Sequence, residues 1–300
     1  MNRTQAGAAF FPGRVPPVQI RKVGVVGLGT MGAGIAQVAA QSGFETVGRE
    51  VSEDLCERAR GTIEHYLSRA FEKGRMTSEE RDAAVGRLTF TTELADLAGC
   101  DLVIEAIVEE LEPKRETFAE LDGLLAPEAI LATNTSALRV GRIAEATEHP
   151  ERVVGMHFFN PAPLLPLVEI VRTEHSSDEA VDAAYAWAEA AGTKPVRCND
   201  TPGFIVNRVL IPVLNDCVRV LDEAGVTPED LDKAMTNGVG WPMGPCELVD
   251  LVGIDIHIHA SEALHEATGD ERAAPPQRLR EMASAGHLGR KTGRGFFEYS

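Results

Sequence analysis

One glycine pattern and four polar features in this 300-residue chain have the residue types that chemistry needs. The glycine pattern is Gly27-Leu28-Gly29-Thr30-Met31-Gly32, which closes an apolar β-branched run and opens a helix-like segment, Thr30 to Gln41. A glycine turn between a buried strand and a helix leaves backbone N–H groups, and the positive end of the helix dipole, facing an anion. Gly27 permits the tight turn, Gly29 lets a pyrophosphate approach the backbone, and Gly32 lets the helix sit close to the strand. Glu50, 18 residues beyond Gly32 at the end of a second predicted strand, is placed to accept hydrogen bonds from ribose hydroxyls. The strand–turn–helix context favours a dinucleotide site over a merely structural turn.

The four polar features lie downstream. They are Thr133-Asn134-Thr135-Ser136 at the end of an apolar strand, His157 in Gly-Met-His-Phe-Phe-Asn-Pro, Glu169 in Pro-Leu-Val-Glu-Ile-Val, and Asn207 in Gly-Phe-Ile-Val-Asn-Arg. A carboxylate among Leu, Val and Ile is expensive to bury unless it is paired. His157 lies one predicted strand earlier, across a proline-rich connection, and is the candidate partner. A carboxylate holding one imidazole nitrogen leaves the other free to move a proton. The competing reading is a core histidine beside a solvent-facing edge glutamate.

The elements that must position these residues follow from pattern. Short β-rich runs at 22–26, 45–47, 102–107, 129–133, 153–158, 167–171 and 195–197 alternate with amphipathic stretches at 55–71, 114–125 and 178–191. That alternation predicts an α/β, Rossmann-type, doubly wound and mainly parallel sheet. The charged stretch 55–87 reads as an inserted helical pair without a strand. Beyond Asn199-Asp200-Thr201-Pro202-Gly203 the spacing turns helical, with an apolar helix from Phe204 to Leu221. Three segments are expected: an extension over 1–20, a dinucleotide-binding domain over 21–200 and an all-helical domain over 201–300.

Bulk properties narrow the function. A net charge of -17 would repel a nucleic-acid backbone, and no apolar run reaches the ~18 residues of a membrane span. Residues 1–20 carry no long apolar core of the kind a signal peptide needs. Five scattered cysteines without C-x-x-C spacing argue against disulfides or zinc and fit a reducing cytoplasm. His257 and His259, at i and i+2 on a predicted helix, make a poor metal pair. No metal is expected.

At these residues the chain resembles the 3-hydroxyacyl-CoA dehydrogenase family, most of all its short monofunctional 3-hydroxybutyryl-CoA members. The likeness covers about residues 20–300 through an ordered set of motifs: GLGTMGAGIAQ, DLVIEAIVEE, ATNTSAL, GMHFFNPAPLLPLVEIVR, PGFIVNR, PMGPCELVDLVGID and GRKTGRGFF. The resemblance implies hydride transfer between NAD and a short-chain acyl-CoA, the chemistry of fatty-acid β-oxidation, with His157 and Glu169 as a proton-transfer dyad. It implies that Ser136 and Asn207 hold the reacting oxygen and His157. It places Glu109, Lys114, Asn160 and Lys291 on the cofactor with Asn134 close by, Lys73 on coenzyme A phosphates, and a homodimer through the helical domain. Glu50 stands where the family more often has Asp, Thr133 where serine is usual, and Trp241 where His or another aromatic is common. Arg49, next to Glu50, leaves NADPH use open. No dense Lys/Arg cluster marks a coenzyme A site in the linear sequence. A dehydrogenase of a sugar acid or other 3-hydroxy acid, and a non-catalytic dinucleotide-binding protein, are the alternative readings.

Overall fold

The structure, a computed structural model, describes residues 19–299, so nearly all of the expected extension 1–20 lies outside the described residues. An eight-stranded sheet dominates the first two thirds, in the order β3-β2-β1-β4-β5-β6-β7-β8. Its strands are β1 (Lys22–Val26), β2 (Glu45–Arg49), β3 (Leu88–Thr91), β4 (Leu102–Glu105), β5 (Ile130–Thr133), β6 (Val153–Phe158), β7 (Leu167–Arg172) and β8 (Lys194–Asn199). All neighbouring pairs are parallel except β6 with β7. The order reverses between β1 and β4, and the open crevice of such a sheet lies at that switch point.

Helices cover both faces. On the first lie α1 (Thr30–Gln41), α2 (Glu53–Glu72), α3 (Ser78–Gly86) and α6 (Asp178–Ala190); on the second lie α4 (Leu111–Leu124) and the short α5 (Val140–Ala144). The central strands are therefore buried on both sides and read as continuous apolar runs. Three helix starts have a local side-chain cause. Ser52, Thr77 and Ser177 accept backbone N–H bonds as N-caps, and at α3 Glu80 bonds back to the Thr77 N–H to complete a capping box.

The helical pair expected over 55–87 is present as α2 and α3. The edge strand β3 that follows was not expected, because its half-exposed Leu-Thr-Phe-Thr pattern gives little hydrophobic signal. The strand expected over 102–107 stops at Glu105, because the Glu105 carboxylate takes the Ile107 N–H and turns the chain out of the sheet.

After β8 the described chain is helical apart from isolated bridges near its end: α7 (Val206–Glu223), α8 (Pro228–Ala234), α9 (Pro245–Val252), α10 (Ile254–Thr268) and α11 (Gln277–Ser284). α7 carries the apolar stripe that builds this part's own core, with Leu214 and Val218 against Val249, Ile254 and Leu279. None of the described helices is long and apolar enough to cross a membrane.

Candidate active site

The glycine turn comes first along the chain. Gly27 has φ 85°, a left-handed value, and a Cβ there would sit 2.8 Å from the Ala106 carbonyl oxygen. A Cβ on Gly32 would lie 1.7 Å from the Gly27 oxygen, so α1 can approach β1 only without one. A Cβ on Gly29 would meet nothing within 4 Å; that face is open. No side chain caps α1 and no acidic residue occupies its first turn, so its N–H groups and dipole are left for an anion.

Glu50 is locked in place from both sides. Its Oε1 accepts the Leu28 N–H at 2.8 Å and its Oε2 the Val51 N–H at 2.8 Å. Each oxygen keeps a lone pair for a ribose hydroxyl. Arg49 instead donates from Nε to the Thr92 carbonyl at 3.2 Å. A 2′-phosphate here would meet the Glu50 carboxylate. The turn, the open Gly29 face and this acceptor fit NAD.

β6 and β7 bring together the two residues expected to form a proton-transfer pair. Their antiparallel register sets His157 directly opposite Glu169, which puts both side chains on one face of the sheet. Glu169 is fully buried, and its Oε2 accepts the His157 Nδ1–H at 2.7 Å. Its Oε1 accepts the N–H groups of Ile205 and Val206 at 3.0 and 2.9 Å, at the start of α7. His157 Nε2 has no hydrogen-bond partner among the described residues. The ring is held by Phe159 and Phe204, at 4.5 and 5.6 Å between centroids.

A cavity of about 350 Å³ gathers His157 with Met31, Glu109, Lys114, Asn134, Ser136, Asn160 and Asn207. Glu109 organises its rim: Oε1 accepts from Thr135 Oγ1 and from the N–H groups of Ser136 and Ala137. Burial by itself would raise the Glu109 carboxyl, but the Lys114 ammonium and these donors outweigh it and hold the group below its usual range. Asn134 accepts the Phe158 N–H, which fixes the backbone beside His157.

Glu105 escaped sequence reading. It is fully buried and accepts from Lys114 Nζ at 2.6 Å, Thr133 Oγ1 at 2.8 Å and the Ile107 N–H. The cost argument that singled out Glu169 applies equally to an acid closing the apolar run Leu-Val-Ile-Glu. Lys114 thereby sits under the cavity, bridging Glu105 and Glu109, with almost no surface of its own. The structure does not bring Lys291 to either cavity: its ammonium pairs with Asp255 at 2.6 Å on the C-terminal helices.

A second cavity of about 940 Å³ runs from Gly29, Thr30 and Glu50 along α2 and shares Asn160 with the first. Arg58, Arg69, Lys73 and Arg75 line it, and none forms an ion pair among the described residues. The basic cluster missing from the linear sequence is therefore built by the helix and the turn after it: positions 58, 62, 66, 69 and 73 fall on one face, and Arg75 joins from the turn. Among the described residues no cluster of three His, Cys, Asp or Glu side chains is arranged to hold a metal.

A doubly wound sheet with an uncapped glycine turn, a carboxylate placed to accept ribose hydroxyls and a helical second part is the architecture of a dinucleotide-binding enzyme. Comparison with known proteins carries this to a family. Residues 22–201 match the model of the 3-hydroxyacyl-CoA dehydrogenase NAD binding domain, and residues 203–299 match that family's C-terminal domain. The chain is 44% identical to a probable 3-hydroxybutyryl-CoA dehydrogenase of Deinococcus radiodurans, over 93% of this chain and 100% of the relative. It is 45% identical to the Mycobacterium tuberculosis 3-hydroxybutyryl-CoA dehydrogenase, over 93% and 99%. The crystal structure of M. tuberculosis FadB2 superposes with a TM-score of 0.90 at 45% identity, covering 94% of this chain and 99% of that one. That of the Ralstonia eutropha (S)-3-hydroxybutyryl-CoA dehydrogenase PaaH1 gives 0.91 at 38%, covering 94% and 100%. The chain belongs to the 3-hydroxyacyl-CoA dehydrogenase family, and its cofactor is NAD.

Proposed function

We propose that this enzyme interconverts (S)-3-hydroxyacyl-CoA and 3-oxoacyl-CoA, with 3-hydroxybutyryl-CoA and acetoacetyl-CoA as the short-chain pair, a step of acyl-CoA oxidation. One observation carries the mechanism: His157 opens on the smaller cavity with Nδ1 tied to a buried carboxylate and Nε2 free. In oxidation Nε2 takes the proton of the 3-hydroxyl; in reduction the imidazolium returns it to the forming alkoxide. Glu169 orients the ring and balances its charge. Ser136 and Asn207, on the same cavity, hold the reacting oxygen. The glycine turn and Glu50 would hold NAD, with Glu109, Asn134 and Asn160 beside it, and the cofactor would supply the complementary hydride exchange at C3.

The larger cavity suits the phosphate-bearing end of coenzyme A, with Arg58, Arg69, Lys73 and Arg75 as unpaired cations. Lys291 would reach the cofactor only by leaving Asp255. We also infer a homodimer through the helical part. Ile205, Val209, Leu251, Val252 and Ile256 are exposed apolar side chains on or beside three helices packed on one another. A cytoplasmic location fits the scattered free cysteines.

The test is NADH consumption with acetoacetyl-CoA, with NADPH and a free 3-oxo acid run in parallel. Turnover of the thioester with NADH is expected. Oxidation of NADH by the free acid alone would move the assignment to a dehydrogenase that ignores coenzyme A. Binding of NADH without turnover of either substrate would remove the enzymatic reading.

A further inference from the structure

Among the described residues Phe204 is the one non-glycine position with a left-handed backbone, φ 47°. That conformation strains an L-residue with a Cβ, a cost glycine would avoid. Ile205, which follows, has the right-handed values φ -104° and ψ -59°. Left- and right-handed residues in succession turn consecutive N–H groups to the same side and make a small anion-binding concavity. The anion here is Glu169: its Oε1 takes the N–H groups of both Ile205 and Val206, while its Oε2 takes His157. The Phe204 ring is buried in the sheet's second core cluster and also faces the imidazole, so packing holds the strained turn in place.

We propose that Phe204 is a positioning residue for proton transfer, its left-handed backbone aiming two N–H donors that fix Glu169 and, through it, His157. The proposal rests on the reading of His157 and Glu169 as the proton-transfer pair. It also links the two parts of the chain, because the same turn starts α7 and delivers Asn207 to the cavity.

Phe204→Leu and Phe204→Ile separate backbone from bulk. The two side chains have equal volume, but the β-branched one tolerates positive φ far less. The expected result is a kcat about tenfold or more lower for the Ile variant than for the Leu variant, as loss of alignment at a reacting group brings. Kd for NADH should agree within about twofold, since the glycine turn and Glu50 lie apart from this turn. The low-field proton resonance of the His157–Glu169 hydrogen bond should persist with Leu and be lost with Ile. Equal kcat values and equal spectra would overturn the proposal. Should the Ile variant not fold, Phe204→Gly and Phe204→Ala serve instead. Backbone positioning ranks Gly above Ala in kcat, whereas a space-filling role ranks Ala at or above Gly and overturns the idea. His157→Gln keeps the two readings apart. Wild-type turnover there removes the dyad itself; impaired turnover with Leu and Ile alike removes only the role of Phe204.

Discussion

His157 and Glu50 do different jobs with the same device, a side chain fixed on one side and open on the other. His157 has Nδ1 committed to Glu169 and Nε2 left for a proton. His157→Gln should keep NADH affinity and lower turnover by roughly 10²–10⁴-fold, the range for a lost general acid–base. Fluorescence titration beside steady-state rates checks this, and undiminished turnover would refute the role. Glu50 spans the glycine turn and its own helix entry, a reach that its extra methylene over Asp allows. Removing it in Glu50→Ala frees the Leu28 N–H and deletes the hydroxyl acceptor. NADH affinity should then fall by about tenfold or more, a charged hydrogen bond being worth about 1.5–3 kcal/mol. Discrimination against NADPH should narrow in the same assay, because the carboxylate that opposes a 2′-phosphate is gone.

At the level of elements, two buried polar groups hold the C-terminal helices together. Asp250 in α9 accepts the N–H groups of Phe296 and Phe297 and the Tyr299 hydroxyl, clasping the final segment. A Cβ on Gly295 would fall 1.9 Å from its Oδ1, which is why glycine stands there. Burial and the Asp250 bond push the Tyr299 hydroxyl up to about 12, so it remains a donor. Asp250→Asn presents an amide donor to these donors. It should cost about 2–3 kcal/mol of stability in urea unfolding, the penalty of buried groups left unpaired.

His257 in α10 bonds through Nε2 to Asn215 Oδ1 in α7, while the Asn215 amide donates to Ala273 O. That amide orientation makes the His257 Nε2–H the donor. Burial lowers its pKa to about 4 from 6.5. The unfolded chain therefore binds the proton more readily, and stability falls as pH drops from about 6.5 towards 4, with no contribution above that window. The loss should reach on the order of 3 kcal/mol, and His257→Gln should flatten it in unfolding curves taken across those pH values.

For the molecule as a whole, the proposed site lies where the two parts meet. The sheet supplies His157 and Glu169 and the loop after β5 supplies Ser136, while α7 supplies Asn207 and follows the turn whose N–H groups hold Glu169. Separating the parts would dismantle the site. The exposed apolar side chains of the helical part lie outside both cavities. Val209→Asp and Ile256→Asp should accordingly shift sedimentation towards a monomer. The folded cores should survive, since both positions are more than half exposed. An unchanged mass in both variants would locate any self-association elsewhere.

What the sequence determined by itself was short in range. β1, the glycine turn and α1 are contiguous, and each glycine is demanded by its near neighbours, so the segment was legible at once. The cost of a carboxylate in an apolar run marked Glu169, but the same signal at Glu105 passed unread beneath a strand assigned two residues too long. Tertiary structure decided everything that depends on which distant groups meet. Register, which no local pattern encodes, set His157 opposite Glu169. Folding the chain back brought Ile205 and Val206 to the same carboxylate, and α2 with the turn after it gathered cations spread over 18 positions onto one cavity wall. It also gave Lys291 to Asp255, a partner that spacing could not name. Types and spacing announce what a residue can do; burial and pairing, which arise only when remote segments pack, decide what it is left free to do.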